Sequence, residues 1–223
     1  MTITFEGIME VETQRFGDFT RKYYLPARPY GFALFRLYFR LKVTGVEYIP
    51  AAGPVIIVPN HTSFLDPPLL SAVVPRVIYF LMLAKHYYHP RWHWLFSRLP
   101  CIPMERGSAA NMGALKQCFE VLKHNQVLCL FPEGGISREH KAGGAKQGAA
   151  LLALRTQAPI IPAGINGAAE ALSLKHRFPR PKPITINFGA PIQVPSTGTP
   201  DKALLQEITE KTMVSVNSLL TGV

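Results

Sequence analysis

Val55-Ile56-Ile57-Val58-Pro59-Asn60-His61-Thr62-Ser63-Phe64-Leu65-Asp66-Pro67-Pro68 is the stretch that decides the fold. It opens on four consecutive β-branched residues, Val55 to Val58, with no polar alternation. Such a run reads as a strand buried on both faces, the kind found in parallel sheets covered by helices on each side. The polar residues Asn60, His61 and Ser63 follow the run directly, which places them at a strand's C-terminal end. Asp66, followed by Pro67 and Pro68, marks the start of a helix.

Outward from there, strand patterns alternate with helical ones. Val77 to Leu83, Val127 to Phe131, Ile160-Ile161 and Ile184 to Phe188 read as strands. Ser108 to His124 carries Met112, Leu115, Phe119 and Leu122 at helical spacing, with Ser108 as N-cap. Ala145 to Leu154 is a second helix, and Pro200 to Leu220 a third with Thr199 as cap. This order predicts a single α/β domain, a largely parallel or mixed sheet flanked by helices, over residues 43–223. In such sheets the ligands gather where strands end and loops begin.

Residues 1–42 form a separate N-terminal segment. Tyr30, Phe32, Leu34, Phe35, Leu37, Tyr38, Phe39 and Leu41 make an aromatic helix candidate, interleaved with Arg36, Arg40 and Lys42 and preceded by Arg15, Arg21, Lys22 and Arg28. Between Arg15 and Lys42 the only acid is Asp18. A basic, aromatic-rich amphipathic helix reads as a membrane-associating anchor; a first helix packed on the core is the alternative, and opposite faces can serve both. The N-terminus has acids and no apolar h-region, so a signal peptide is not expected. No stretch reaches the roughly 20 apolar residues that a bilayer span requires.

Composition narrows the class further. Charged residues are only 17% of the chain and lopsided, 24 Lys+Arg against 14 Asp+Glu, for a net charge of +10. A chain so charged is drawn to nucleic acid, anionic lipid or a phosphorylated substrate. The basic residues are scattered and no nucleic-acid motif appears, so no nucleic-acid partner is expected. Cys101, Cys118 and Cys129 form no Cys-x-x-Cys pair, and three cysteines close no disulfide framework, which fits a reducing compartment. His86, His89 and His93 have no further ligand cluster and are interrupted by Pro90, so no metal is expected.

Four constellations can carry chemistry. His61 and Asp66 can meet across a strand–helix turn; the carboxylate would fix the tautomer and leave the second ring nitrogen to take a proton from an alcohol. The structural alternatives are a helix N-cap for Asp66 and a backbone-bonded loop histidine for His61. Ser63 lacks the Gly-x-Ser-x-Gly elbow of a serine nucleophile. Phe131-Pro132-Glu133-Gly134-Gly135-Ile136-Ser137 also follows a strand, and consecutive glycines let backbone N–H groups converge on an oxyanion. Glu133 either holds an acceptor hydroxyl or locks the loop, and a plain turn is the alternative. Ile102-Pro103-Met104-Glu105-Arg106 places a guanidinium just before a helix, suited to a phosphate. Ala158-Pro159-Ile160-Ile161-Pro162, with Lys146 upstream, is the fourth; prolines there are mostly structural and Lys146 is a ligand candidate or a solvated helix charge.

The order and spacing of these blocks resemble the glycerolipid acyltransferase family, which includes the 1-acylglycerol-3-phosphate acyltransferases. The similarity runs from about Pro29 to about Val194 and includes the lead-in Val46-Glu47-Tyr48-Ile49-Pro50 and Gly53-Pro54-Val55-Ile56. The resemblance implies that residues 43–223 are an acyltransferase domain, with His61 as general base and Asp66 as its orienting partner. It implies that Arg106 binds the acceptor's phosphate and that Glu133 and Gly134 shape the acceptor and oxyanion site; Gly135, Ser137 and Lys146 are further substrate-binding candidates. It further implies an acyl-coenzyme A or acyl carrier protein thioester as donor, a lysophospholipid acceptor, no cofactor, and a peripheral or monotopic place on the cytoplasmic face of the membrane. Three positions depart from the family's pattern: Gly135 and Ile136 stand where Thr and Arg are usual, and Pro100 where Gly is. The missing cation bears on the acceptor's phosphate, so acceptors without a phosphate monoester remain open. An acyl thioesterase, with water as nucleophile, and a non-catalytic lipid-binding protein are the competing classes.

Overall fold

The computed structural model describes residues 19–105, 112–136, 147–173, 178–196 and 201–221. In chain order they form α1 (Leu25–Tyr38), β1 (Lys42–Thr44), β2 (Val55–Pro59), α2 (Asp66–Val73) and β3 (Ile78–Leu83). There follow α3 (Ala84–Tyr87), α4 (His93–Phe96), β4 (Cys101–Met104), α5 (Met112–Lys123), β5 (Val127–Cys129) and α6 (Gly148–Thr156). The chain closes with β6 (Ile160–Asn166), α7 (Ala168–Ala171), β7 (Thr185–Phe188) and α8 (Lys202–Thr221).

The strands make one mixed sheet in the order β1-β7-β6-β2-β5-β3-β4. From β6 to β4 the five neighbours are parallel, whereas β7 runs antiparallel to β6 and carries β1 parallel to itself. The all-buried reading of Val55 to Val58 holds, because every residue of β2 is buried. Strand side chains alternate between faces, so the two halves of the run feed two cores. Val55 and Ile57 face Leu69, Leu70 and Val74 of the α2 region, with Phe39 and Leu41 after α1. Ile56 and Val58 face α5, α6 and α8.

Several boundaries differ from the sequence expectations for physical reasons. The edge strands β1 and β4 carry weak signals: β1 has three residues, and β4 contains Pro103, which an edge strand tolerates. The buried face of α5 is Ala114, Cys118, Val121 and Leu122, while Met112 is exposed. The small Ala and Cys side chains let the helix lie close to the sheet, and Leu115 and Phe119 pack at its flank. The proposed caps Ser108 and Thr199 lie outside the described residues. Instead Leu204 N–H donates to Asp201 Oδ1 at 2.7 Å, the geometry of an N-cap.

The N-terminal helix starts earlier than expected and has no buried residue. Phe32 and Phe35 rest against the first core, while Tyr30, Leu34 and Leu37 face outward. Arg28 does not lie free on the surface. Its guanidinium donates to the carbonyls of Ser71 and Val74, satisfying the C-terminal end of α2 and tying α1 to it. No described helix is long and apolar enough to cross a membrane.

At Gly164 the sheet meets α8 so closely that an added Cβ would lie 2.8 Å from Leu219 Cβ and 2.9 Å from its backbone carbonyl. Because a backbone cannot swing aside as a side-chain tip can, Gly164→Ala is expected to destabilise the protein by about 1–3 kcal/mol. Urea denaturation, read as a lower midpoint at unchanged slope, checks this.

Candidate active site

The topology locates a crevice. After β2 the chain moves toward β3 by way of α2, on the first core's face. After β5 it moves the opposite way to β6 by way of α6, on the other face. Right-handed crossovers in opposite directions must use opposite faces. Between the neighbouring ends of β2 and β5 the outgoing loops therefore part, leaving an opening of the kind that holds ligands in α/β sheets. The His61 loop leaves β2 there, and the Phe131-Glu133 loop leaves β5.

His61 and Asp66 are brought together. His61 Nδ1 lies 2.9 Å from Asp66 Oδ2, with the imidazole side chain 14% exposed and the carboxylate 0% exposed. The same Oδ2 accepts the backbone N–H of Thr62 at 2.8 Å and of Ser63 at 2.9 Å. These bonds turn the carboxylate back into the loop, and Asp66 makes no capping bond to α2. The N-cap alternative for Asp66 is therefore replaced by an orienting role for the loop and the ring. A carboxylate has no proton to donate, so Nδ1 carries the hydrogen and Nε2 presents its lone pair. Among the described residues nothing bonds Nε2.

Neighbouring polar groups hold this geometry rather than join it. Asn60, buried at the end of β2, donates to Ile165 O at 2.9 Å and accepts from Ile165 N at 2.7 Å. That two-way bond clamps the end of β2 to β6. Ser63 donates its hydroxyl to Leu172 O at 2.8 Å and accepts from Leu65 N at 3.2 Å, which makes it a structural residue. The thiols offer no nucleophile either: burial pushes Cys101 and Cys118 up to about 12, and raises Cys129 as well.

The second loop meets the first through Glu133 and Phe131. Glu133 Oε1 accepts the backbone N–H of His61 at 3.4 Å, a long bond that joins the two loops as a lock. Gly134 N donates to Phe131 O at 3.1 Å, closing a turn, and Gly134 has φ +65°, which favours glycine. Gly135 and Ile136 follow, half-buried. Phe131 stands in the sequence reading only as the end of a strand and the first residue of the glycine-bearing loop, with no role of its own. Its ring stacks on the His61 imidazole, centroids 3.9 Å apart and planes at 24°, and is itself backed by Phe80. Its place after a strand and before the glycines was the only signal, and aromatic stacking has no sequence spacing of its own. Arg106, Ser137 and Lys146 lie outside the described residues. No group of three His, Cys, Asp or Glu residues among the described ones is placed to hold a metal ion.

Comparison with known proteins follows the same lines. A family model described as Acyltransferase matches residues 40–166, more than half of the chain. The chain is 27% identical over 137 residues to the chloroplastic 1-acyl-sn-glycerol-3-phosphate acyltransferase LPAT1 of Arabidopsis thaliana, covering 60% of this chain and 38% of that protein. It is 28% identical over 147 residues to a probable 1-acyl-sn-glycerol-3-phosphate acyltransferase of Mycoplasma pneumoniae, covering 62% of this chain and 54% of the relative. These matches thus span at most about half of the relatives' lengths. In fold it is similar to the 1-acyl-sn-glycerophosphate acyltransferase PlsC of Thermotoga maritima, with a TM-score of 0.65 at 21% identity over 94% of this chain and 95% of that one.

Two substitutions probe the site's parts separately. Asp66→Asn keeps the size but presents a donor as readily as an acceptor, so the ring loses its fixed tautomer; turnover should fall by about 10³-fold or more. Phe131→Leu keeps an apolar contact but frees the ring to tilt, and kcat should fall about tenfold or more with KM little changed. Steady-state kinetics on protein of unaltered circular dichroism measures both.

Proposed function

Because this chain belongs to the acyltransferase family, we propose that it moves a fatty acyl group from a coenzyme A or acyl carrier protein thioester to the free hydroxyl of a lysophospholipid. The acceptor on this reading is 1-acylglycerol-3-phosphate and the product phosphatidic acid. The observation that carries it is the 2.9 Å bond from His61 Nδ1 to the buried Asp66, which presents Nε2 as a base at the crevice between two loops.

In the proposed reaction His61 Nε2 takes the proton as the acceptor oxygen attacks the thioester carbonyl carbon. The new C–O bond forms and the carbonyl oxygen becomes an oxyanion. We assign its stabilisation to backbone N–H groups after the turn, at Gly135, since Gly134 N already donates to Phe131 O. The intermediate collapses by breaking the C–S bond, and the thiolate leaves with the proton held on Nε2. Asp66, unable to move toward water, pairs the imidazolium while it exists.

Arg106 is the proposed phosphate grip, with Ser137 and Lys146 completing the acceptor site; the net charge of +10 favours an anionic acceptor and an anionic lipid surface. The outward stripe of α1, with Tyr30 78%, Leu34 61% and Leu37 81% exposed, supports attachment to that surface. Three unpaired cysteines accord with its cytoplasmic face. Gly135 and Ile136, where the pattern of the family that the sequence resembles has Thr and Arg, support a second reading in which the acceptor lacks a phosphate monoester.

Palmitoyl-coenzyme A with 1-acylglycerol-3-phosphate should yield thiol and phosphatidic acid in equal amounts, and His61→Ala should lower both by about 10³-fold or more. Thiol released at the same rate without acceptor would identify a hydrolase and overturn transfer. Transfer confined to acceptors without a phosphate monoester would establish the second reading.

A further inference from the structure

The connection after β3 is built as a small ordered knob. Its inner side is fixed: Tyr87 is buried, His93 Nδ1 donates to Tyr87 O at 3.0 Å, and the two rings meet edge to face at 5.4 Å. Trp92 N donates to His89 O at 2.9 Å, closing the turn between α3 and α4. His93 is thus turned toward Tyr87, away from exposed His86 and His89.

Its outer side shows the opposite character. Tyr88 is 59% exposed, Trp92 48% and Trp94 58%, beside exposed Lys85 and Arg91. No acid occurs anywhere between Asp66 and Glu105. Tryptophan and tyrosine with a polar edge on an apolar ring are suited to the headgroup layer of a bilayer, and the unopposed cations suit its anionic lipids. The position in the fold adds to this. The knob leaves the C-terminal end of β3, the same end of the sheet from which His61 leaves β2. Phe64, in the loop after β2, is exposed at that end too.

We propose that the outer side of residues 84–96 is a second bilayer contact, distinct from α1, which seats the catalytic end of the sheet on an anionic lipid surface. It deepens the proposed function, since it names the surface on which that site works, but it concerns binding and not turnover. Two attachments fix an orientation where one would leave the protein to pivot, and affinities of two linked contacts reinforce each other.

The chain has only two tryptophans, Trp92 and Trp94, so tryptophan emission, excited selectively over tyrosine, reports this segment alone. The full chain is titrated with phosphatidylcholine vesicles, with and without phosphatidylglycerol. Expected are a blue shift, protection from acrylamide, and quenching by phospholipid brominated along its acyl chains, all stronger with the anionic lipid. Arg91→Glu should weaken binding to anionic vesicles about fivefold or more. Leu34→Ser with Leu37→Ser should weaken binding while leaving the blue shift at saturating lipid. Co-sedimentation with vesicles at unchanged emission would overturn the proposal, leaving α1 as the contact. A shift produced by an acidic acyl carrier protein and not by vesicles would overturn it as well and make the knob a protein-docking surface. The acyl-transfer assay with His61→Ala is independent of both readings of the emission, so failure of the one is distinguishable from failure of the other.

Discussion

A carboxylate at 0% exposure is among the costliest groups to place inside a protein, and Asp66 is such a group. The loop before it is shaped by that cost. Thr62 and Ser63 turn their N–H groups toward one carboxylate oxygen, and His61 adds a third donor from its ring. Holding three consecutive residues in this arc requires anchors on either side. Asn60 supplies one by its two-way bond to Ile165, and the Ser63 hydroxyl supplies the other by its bond to Leu172 O. The orientation of the His61 ring is thus part of how the fold satisfies one oxygen of a buried carboxylate. The same donors that stabilise the carboxylate fix which nitrogen of His61 faces the crevice.

The sheet order gives that loop its partner. β2 and β5 are neighbours whose chains depart to opposite faces, so the loops that leave their ends face each other across the opening. Phe131 crosses this space to stack on His61, and Glu133 reaches the His61 backbone. The antiparallel β7 and its companion β1 extend the sheet beyond β6 and bring the chain from α1 to the same sheet, so the N-terminal helix is tied to the domain through both Arg28 and the Phe39-Leu41 stretch.

Legibility in the sequence follows sequence distance and burial. β2 is legible because both its faces are buried and every position is apolar. His61 and Asp66 are legible because their contact is local, five positions apart across a strand–helix turn. The edge strands β1 and β4 are hidden by shortness and by Pro103, since an edge strand needs neither length nor a complete row of donors. In α5 the sequence reading of Leu122 holds, but the buried face also takes in Ala114, Cys118 and Val121, because the small Ala114 and Cys118 permit a closer approach. The stacking of Phe131 and the bond from His61 N to Glu133 join residues about seventy positions apart, and no periodicity encodes them.

The commitment of the Ser63 hydroxyl to Leu172 O has a consequence for the order of events. With that oxygen engaged and the thiols buried, no described side chain beside His61 is poised to receive the acyl group and hold it while one product leaves. On the proposed reaction, donor and acceptor would therefore occupy the protein together, in a ternary complex. Double-reciprocal plots would intersect rather than run parallel. On that reaction, selection between alcohol and water would fall before the thioester bond is touched, in the seating of the acceptor, because the proposed path stores no acyl-enzyme on which a later choice could act.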